Sequence, residues 1–383
     1  MSTLAAVAEV HLLVGIAVAV AFSLAVSMVS HFQRSRYLCF FGLIGAAAYY
    51  RQAFAGFVVV SAIAYATLCW INRQTDRTRR WRRAGVVLFL LIAVFTLGRV
   101  QNWEHVLVLS SPVPLTLYSL DMWLVLRLVT LFWEVGAGSL QGPSLTAYII
   151  WICLPFTLGG PILRPSQLPN VICINRSLWK SLAWWMKITT GAAMLIVGLA
   201  LGAAQQFMSH RFSQAPLWNA ATTALLYGPV GFYLTNAGYF HLMESLGQPA
   251  GFKLKESFNF PFGRENISIF WANWNMTATA VFRDYLFYNR WGLRTYNVYF
   301  NTLLVFTLVG LWHAANAYWI LWGFLHGLLF CGFLIWRKYG NRLSGIPLRG
   351  TSIAQMAART FTYVSVCACW YLPSKIIQKL GGT

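Results

Sequence analysis

The sequence predicts an all-α protein that crosses a membrane many times, and three observations lead to this prediction. Of the 383 residues, 58% are hydrophobic and only 10% are charged, and long apolar runs recur along the chain. An ordinary soluble domain carries roughly 25% charged residues. Because hydrocarbon offers no water to backbone amides, apolar stretches of about 20 residues are expected to form spanning helices.

Apolar runs follow one another from one end of the chain to the other. They cover residues 11–30, 37–50, 54–70, 85–97, 122–133, 148–158, 188–207, 217–240, 296–312, 317–336 and 356–370. Several are too short for a perpendicular crossing, which indicates tilted, broken or re-entrant helices. We expect about ten or eleven membrane helices. No linker rich in Pro, Gly or Ser divides the chain, so one membrane domain is expected over residues 1–383.

Basic residues outnumber acidic ones by 29 to 9, which gives a formal net charge of +20. In a membrane protein such an excess marks loops on the cytoplasmic side. The densest cluster consists of Arg73, Arg77, Arg79, Arg80, Arg82 and Arg83. If this cluster and Arg34 are cytoplasmic, two spans fit between them and the N-terminus lies outside the cytoplasm. The run 11–30 has no basic residue ahead of it and is interpreted as a retained helix.

The positive charge could also attract an acidic carrier protein, a phosphorylated cofactor or nucleic acid. Nucleic acid is not expected, because the basic residues are scattered between apolar runs and form no single solvated face. The seven cysteines lie mostly inside apolar runs, with no CxxC pair. No histidine stands at a spacing that suits a metal, so no metal site is expected.

Titratable residues that could carry chemistry are concentrated in residues 251–327. His313 ends one apolar run, and His326 lies 13 residues later in the next run. A neutral imidazole can accept a proton from a hydroxyl at neutral pH, as a general base must. A histidine that is hydrogen-bonded to a backbone carbonyl would fit the same positions. The residues alone leave both roles open.

A second group of candidates precedes these histidines. Asn275 lies four residues after Trp271, a spacing that places both on one helical face. An amide can orient a carbonyl or donate to a developing oxyanion, and a packing or capping role would fit equally well. Arg283 and Asp284 form a charged break that we interpret as an ion pair at a helix end. Charged groups at membrane depth are costly, which makes them functional candidates.

Three sequence elements follow one another in a distinctive order. The first is GGPILR at 159–164; the second contains GF at 251–252, ESFNFPF at 256–262, FW at 270–271, WN at 274–275 and RDY at 283–285; the third contains GLWH at 310–313, WG at 322–323 and HG at 326–327. In this order they resemble the membrane-bound O-acyltransferase family. The resemblance is strongest to the bacterial branch that contains alginate O-acetyltransferase and the teichoic-acid D-alanyl transferase.

The resemblance implies transfer of an acyl group from a thioester to a hydroxyl, in a tunnel that donor and acceptor enter from opposite membrane faces. It implies His313 as the base that takes the hydroxyl proton and Asn275 as the group that orients or polarises the carbonyl. Supporting or substrate-binding roles are expected for His326, Trp312, Trp271, Trp274, Arg283, Asp284 and Arg164.

Two positions depart from the bacterial pattern. Asn275 stands where that branch usually has a second histidine, as in the eukaryotic lipid and protein acyltransferases of the superfamily. Ala314 replaces the final glycine of GLWHG. The added methyl group beside His313 is expected to narrow the site and to affect the choice of acceptor.

The resemblance therefore predicts an O-acyltransferase of the cytoplasmic (inner) membrane with no tightly bound cofactor. The expected donor is acyl-CoA or the phosphopantetheine thioester of an acyl carrier protein, and acetyl or another short acyl group is the expected cargo. The expected acceptor is a hydroxyl of an exopolysaccharide or a related exported molecule. Besides membrane lipid, a separate extracytoplasmic acyltransferase is the expected partner.

Three alternatives remain open at this point. The acceptor could be a lipid or a small metabolite, a possibility that Asn275 favours. The chain could be a non-catalytic scaffold or conduit that passes acyl groups to a partner. It could also be a secondary transporter whose intramembrane acids Asp121, Glu134 and Asp284 relay protons.

Overall fold

The computed structural model describes residues 2–28, 34–100, 122–172, 181–211, 222, 228–288, 297–343 and 352–380. Within these ranges the chain forms helices joined by turns and by a longer non-helical segment at residues 247–266, and no strand is found. The chain is an all-α membrane protein, as its composition predicts. Asp121 lies outside the described residues, as does part of the predicted run 217–240.

The described residues form the following α-helices in chain order. They are α1 (Ser2–Ser27), α2 (Arg34–Tyr50), α3 (Phe54–Asn72), α4 (Arg77–Val100), α5 (Met122–Ala137), α6 (Leu145–Ile152), α7 (Leu168–Val171), α8 (Leu182–Arg211), α9 (Phe232–Leu246), α10 (Ile267–Ala272), α11 (Met276–Val281), α12 (Val298–His313), α13 (Ala317–Leu343) and α14 (Ser352–Lys379). A π-helical segment, Phe282–Phe287, directly follows α11.

Three helical stretches are long and apolar enough to cross a bilayer, namely Phe54–Asn72, Leu182–Gln205 and Ala317–Gly340. Two shorter apolar helices, Leu12–Ser27 and Val298–His313, accompany them. Only 22–33% of the residues in the three long stretches are buried. Their remaining apolar side chains point outward, which suits lipid as the surrounding solvent. The ten or eleven spans and the tunnel stay predictions.

The chain divides into two compact units. The first contains Met1–Thr190 and Tyr239–Lys255, and the second contains Gly191–Gly238 and Glu256–Thr383. The single membrane domain over residues 1–383 stays a prediction.

In the first unit, two buried charges on α5 are held by local partners. The Arg127 side chain is 0% exposed, donates from Nη2 to the Trp151 carbonyl, and lies 4.9 Å from the centre of the Trp151 ring. The Glu134 carboxylate accepts hydrogen bonds from the Ser166 backbone N–H at 3.0 Å and from its hydroxyl at 2.7 Å. Buried charges persist in proteins when they are paired in this way.

A buried ion pair in the first unit joins α8 to α9. Lys187 Nζ lies 2.8 Å from Glu244 Oε2, and the Glu244 side chain is 1% exposed. His241 Nδ1 lies 3.6 Å from the same oxygen. These three residues form the Lys187–His241–Glu244 cluster, in which both basic groups face one carboxylate.

In the second unit, α12 and α13 form an antiparallel hairpin with very close backbone contact. A Cβ atom on Gly310 would collide with the Trp319 carbonyl, and one on Gly323 would collide with the Phe306 carbonyl. Near the other end of the hairpin, Cys331 Sγ lies 3.4 Å from the Tyr299 carbonyl oxygen. Small residues at such positions allow membrane helices to pack through their backbones.

Candidate active site

His313 is placed by the turn that connects α12 to α13. It is the last residue of α12, and Ala314 beyond it has extended backbone angles (φ −162°, ψ 146°). Asn316 then begins α13, because its Oδ1 accepts the Trp319 backbone N–H at 3.0 Å. Asparagine at this position supplies an acceptor that the first turn of a helix lacks. The turn therefore brings Trp319 back beside His313.

Three tryptophan side chains surround the His313 imidazole, and we call them the indole cage. Trp319 stacks on the imidazole with a centroid distance of 4.7 Å and an interplanar angle of 24°. Trp312 lies at 4.8 Å and is tilted by 47°. Trp322 lies at 5.4 Å and is nearly perpendicular, at 85°. The cage fixes the ring position of His313 by contact on several sides.

One cavity of about 520 Å³ brings the predicted site residues together within the second unit. His313, Trp312, Asn275, Trp271, Trp274 and Arg283 all contribute to its wall. Apolar side chains of α12 and α13 supply much of the remaining surface. Ala314 is not one of the lining residues in the described part of the chain, so the expected narrowing of the site by its methyl group is not observed.

Asn275 occupies a break between two short helices. Its backbone is left-handed (φ 39°, ψ 55°), and its Oδ1 accepts the Ala278 N–H at the start of α11. Asparagine tolerates this conformation better than most residues. The prediction that Asn275 and Trp271 share one helical face is wrong, because α10 ends at Ala272 before the break. Both side chains nevertheless reach the same cavity.

His326 is fully buried behind the cavity wall. Its side chain is 0% exposed, and its Nδ1 lies 2.9 Å from the Trp322 carbonyl oxygen. Its ring packs on Trp322 at 4.4 Å and on Trp271 at 5.3 Å. This is the backbone-bonded role that the sequence left open, and His326 does not line the cavity in the described residues.

The remaining predicted residues lie in different surroundings. Arg283 Nε donates to Asp284 Oδ1 at 2.8 Å, which confirms the predicted ion pair. Both residues belong to the π-helical segment, and Asp284 is not a lining residue of the described cavity. Arg164 belongs to the first unit, where its backbone N–H donates to the Gln167 side chain at 3.3 Å.

Two residues that the sequence interpretation did not select belong to this region. Trp319 stacks on His313, and Arg337 lines the same cavity from α13. Arg337 follows Phe330 and Leu334 at helical spacing on the lining face of α13, a pattern that could have indicated it. Trp319 carried no such signal, since its contact depends on the turn geometry.

No group of three or more His, Cys, Asp or Glu side chains that could hold a metal ion occurs among the described residues. The cavity wall instead offers an imidazole, an amide, aromatic rings and two guanidinium groups. Such a set suits proton transfer and carbonyl orientation. The fold and this cavity define a class: an all-α membrane protein with a histidine and an asparagine on the wall of one cavity.

Sequence similarity to curated proteins narrows this class further. The chain is 35% identical over 122 residues to a probable alginate O-acetylase of Pseudomonas aeruginosa, over 31% of this chain and 24% of that protein. It is 36% identical over 98 residues to a peptidoglycan O-acetyltransferase of Helicobacter pylori, over 25% of this chain and 19% of that protein. It is 30% identical over 149 residues to a teichoic acid D-alanyltransferase of Bacillus subtilis, over 36% of each chain.

All three relatives are members of the membrane-bound O-acyltransferase family, so the resemblance carried by the motifs is confirmed. The chain matches between 19% and 36% of the length of these relatives. No protein-family profile matches the chain.

Proposed function

We propose that the chain is an O-acyltransferase of the cytoplasmic (inner) membrane that moves acetyl or another short acyl group from a thioester to a hydroxyl of an exported polysaccharide. The observation that carries this proposal is that His313 and Asn275 line the same cavity. Similarity to enzymes named for alginate, peptidoglycan and teichoic acid supports the reaction class and the kind of acceptor.

In the proposed reaction, a ring nitrogen of His313 takes the proton of the acceptor hydroxyl while the hydroxyl oxygen attacks the thioester carbonyl carbon. The C–S bond then breaks, and the imidazolium returns its proton to the departing thiolate sulfur. Asn275 uses its oxygen to cap α11, which leaves its NH₂ group to donate to the carbonyl oxygen. Donors aimed at a developing oxyanion stabilise acyl-transfer transition states.

The test compares cells that carry the native chain, the His313→Ala chain, the His313→Gln chain or no chain. Mass spectrometry of envelope polysaccharide and total lipid is expected to detect one ester that both variants lose. His241→Gln is the matched control, because His241 faces Glu244 in the first unit. It should retain the ester in proportion to its folded amount. An ester that persists with folded His313→Ala protein would instead favour the scaffold or conduit hypothesis.

The donor is proposed to be a thioester with a phosphate-bearing end, as in acyl-CoA or an acyl carrier protein. Arg337 supports this part of the proposal, because it lines the same cavity as His313. Trp319 lies beside His313 near the start of α13. Arg337 lies further along the same helix, roughly 27 Å from Trp319 at 1.5 Å per residue. The thioester could therefore lie near His313 while the anionic end lies near Arg337.

Arg337→Gln tests the donor assignment. We expect a KM for acyl-CoA about tenfold higher, since a charge-assisted hydrogen bond contributes roughly 1.5–3 kcal/mol. The KM for acyl-pantetheine, which lacks the phosphate, should not change. Lys338→Gln is the matched control: Lys338 is the next residue on α13, and its Nζ lies over the Tyr339 ring at 5.1 Å. Equal effects on both donors would contradict phosphate binding by Arg337.

We propose that a separate extracytoplasmic acyltransferase is the partner that completes transfer to a polymer. We also propose that the N-terminus lies outside the cytoplasm. The exposed side chains of Arg77, Arg79 and Arg82 at the start of α4 support a cytoplasmic position for that end of the helix. A cysteine introduced at Arg79 should react with a permeant maleimide and not with a membrane-impermeant one in intact cells. Labelling by the impermeant reagent would reverse the proposed orientation.

A further inference from the structure

We propose that the indole face of Trp319 stabilises the imidazolium form of His313 during acyl transfer, which makes Trp319 a positioning residue that no part of the sequence resemblance assigned. This inference rests on the proposed function, because it concerns the charge that His313 acquires as the base. Its basis is the geometry of the indole cage, together with the lack of an acid paired with His313 among the described residues.

His313 and Trp319 have the geometry that a cation–π contact requires. Their rings are nearly parallel, at 24°, with centroids 4.7 Å apart. A cation within about 6 Å of an indole centroid, over the ring face, is attracted by the ring quadrupole. The contact favours the charged imidazole over the neutral one, so it gains strength at the moment when the proton arrives.

No acid in the part of the chain that the structure describes is paired with the His313 ring. Among the described residues, no carboxylate forms an ion pair or hydrogen bond with His313. The other described unit offers a contrast, because His241 has Glu244 at 3.6 Å. In hydrolases with a Ser-His-Asp triad, the acid orients the imidazole and stabilises its protonated form. Here the ring face of Trp319 contacts the His313 imidazole instead.

The position of Trp319 leaves the reacting side of His313 open. His313 lines the cavity, whereas Trp319 is not one of the lining residues in the described part of the chain. The acceptor hydroxyl can therefore approach the imidazole from the cavity. Trp319 occupies a different side of the ring and does not need to move.

Trp319 is also held rigidly before any substrate binds. Its backbone N–H is fixed by the Asn316 side chain at 3.0 Å. Its ring packs edge-to-face against Trp322 at 5.5 Å and Trp370 at 5.8 Å. The Tyr318 hydroxyl donates to the Trp370 carbonyl at 2.8 Å and ties α13 to α14 beside this ring. Groups preorganised in this way act without reorganisation at the moment of reaction.

The experiment replaces Trp319 in the full chain with tryptophan carrying one, two, three or four fluorine atoms. Fluorine withdraws charge from the ring face and changes its shape very little. We expect kcat to fall stepwise, by about 3- to 30-fold in total, as the cation–π contact weakens. The KM of the donor and the thermal unfolding midpoint should stay constant. A purely structural role for Trp319 would not produce this graded loss.

Trp336 provides the matched control. It lies on the same helix, its side chain is 61% exposed, and it does not line the described cavity. The same fluorinated series at Trp336 should leave kcat unchanged.

Two outcomes overturn the inference in distinguishable ways. If kcat is constant across the series at Trp319 while His313→Ala abolishes transfer, the proposed function stands and the role of Trp319 is structural. If His313→Ala retains transfer, the proposed base and the inference fail together.

Discussion

The acids Glu134 and Glu244 of the first unit and His313 of the second unit have opposite kinds of surroundings. In the first unit, Glu134 accepts hydrogen bonds from Ser166, and Glu244 lies against Lys187. In the second, His313 is enclosed by tryptophan rings and is not paired with any acid among the described residues. The first arrangement neutralises charge locally, whereas the second places aromatic rings around an imidazole that lines a cavity.

This difference shows that an ionisable group at membrane depth does not by itself mark a functional site. The transporter hypothesis rested on three acids. Glu134 is engaged by Ser166, and Asp284 pairs with Arg283, whereas Asp121 lies outside the described residues. A titratable group on a cavity wall, held by groups that leave it reactive, is the stronger indication of chemistry.

The largest expected effect breaks the Lys187–His241–Glu244 cluster. Lys187→Met leaves the buried Glu244 carboxylate without its 2.8 Å partner, and removal of one member of a buried ion pair costs roughly 3–5 kcal/mol. Thermal unfolding in detergent should show this loss. The double variant Lys187→Met, Glu244→Leu should regain most of the stability. If the double variant is no more stable than the single one, the loss of the Lys187 contact from Glu244 is not the cause.

A smaller effect is expected at the α12–α13 contact. Gly323→Ala places a methyl group against the Phe306 carbonyl, and overpacking of this kind costs about 1–3 kcal/mol. Acyl transfer should fall as well, because the shifted hairpin disturbs the indole cage. Gly332→Ala on the same helix is the matched control, since no atom lies within 4 Å of its added Cβ. Equal unfolding midpoints for the two variants would contradict close backbone packing at Gly323.

The smallest effect is expected from Ala314→Gly. The extended backbone at this position suits any residue, and its methyl group does not line the described cavity. The extra freedom of glycine in the unfolded chain should cost about 0.4–1 kcal/mol of stability. Steady-state assays of folded protein should give unchanged kcat and an unchanged order of preference among acceptors. A new preferred acceptor would restore the sequence-based expectation that this methyl group shapes the site.

The sequence predicted the fold class and singled out His313 as a candidate, because both inferences depend on local properties. Composition and apolar length determine whether a segment suits lipid. His313 was visible as a polar residue at the end of an apolar run, within an ordered set of motifs. The pairing of Arg283 with Asp284 was also local, since the two are neighbours in the chain.

Features that depend on turn geometry could not be predicted in the same way. The left-handed backbone of Asn275 separates α10 from α11, so a helical-face argument across it was invalid. Trp319 reaches His313 only because the chain reverses at residues 314–316. The glycine contact between α12 and α13 likewise depends on which faces of the two helices meet. The spacing of residues along one helix contains no information about turn geometry or about which helix faces meet.

The π-helical segment Phe282–Phe287 makes the cavity sensitive to the number of residues in the chain. The Tyr288 N–H donates to the Arg283 carbonyl, five residues earlier, at 2.9 Å. Phe282, Arg283, Phe287 and Tyr288 all line the cavity, whereas residues five apart in an α-helix diverge by about 140°. Deletion of one residue here, such as Leu286, would restore α-helical register and rotate the following residues by about 100°. An insertion or deletion in this segment therefore disturbs the cavity wall more than a substitution does.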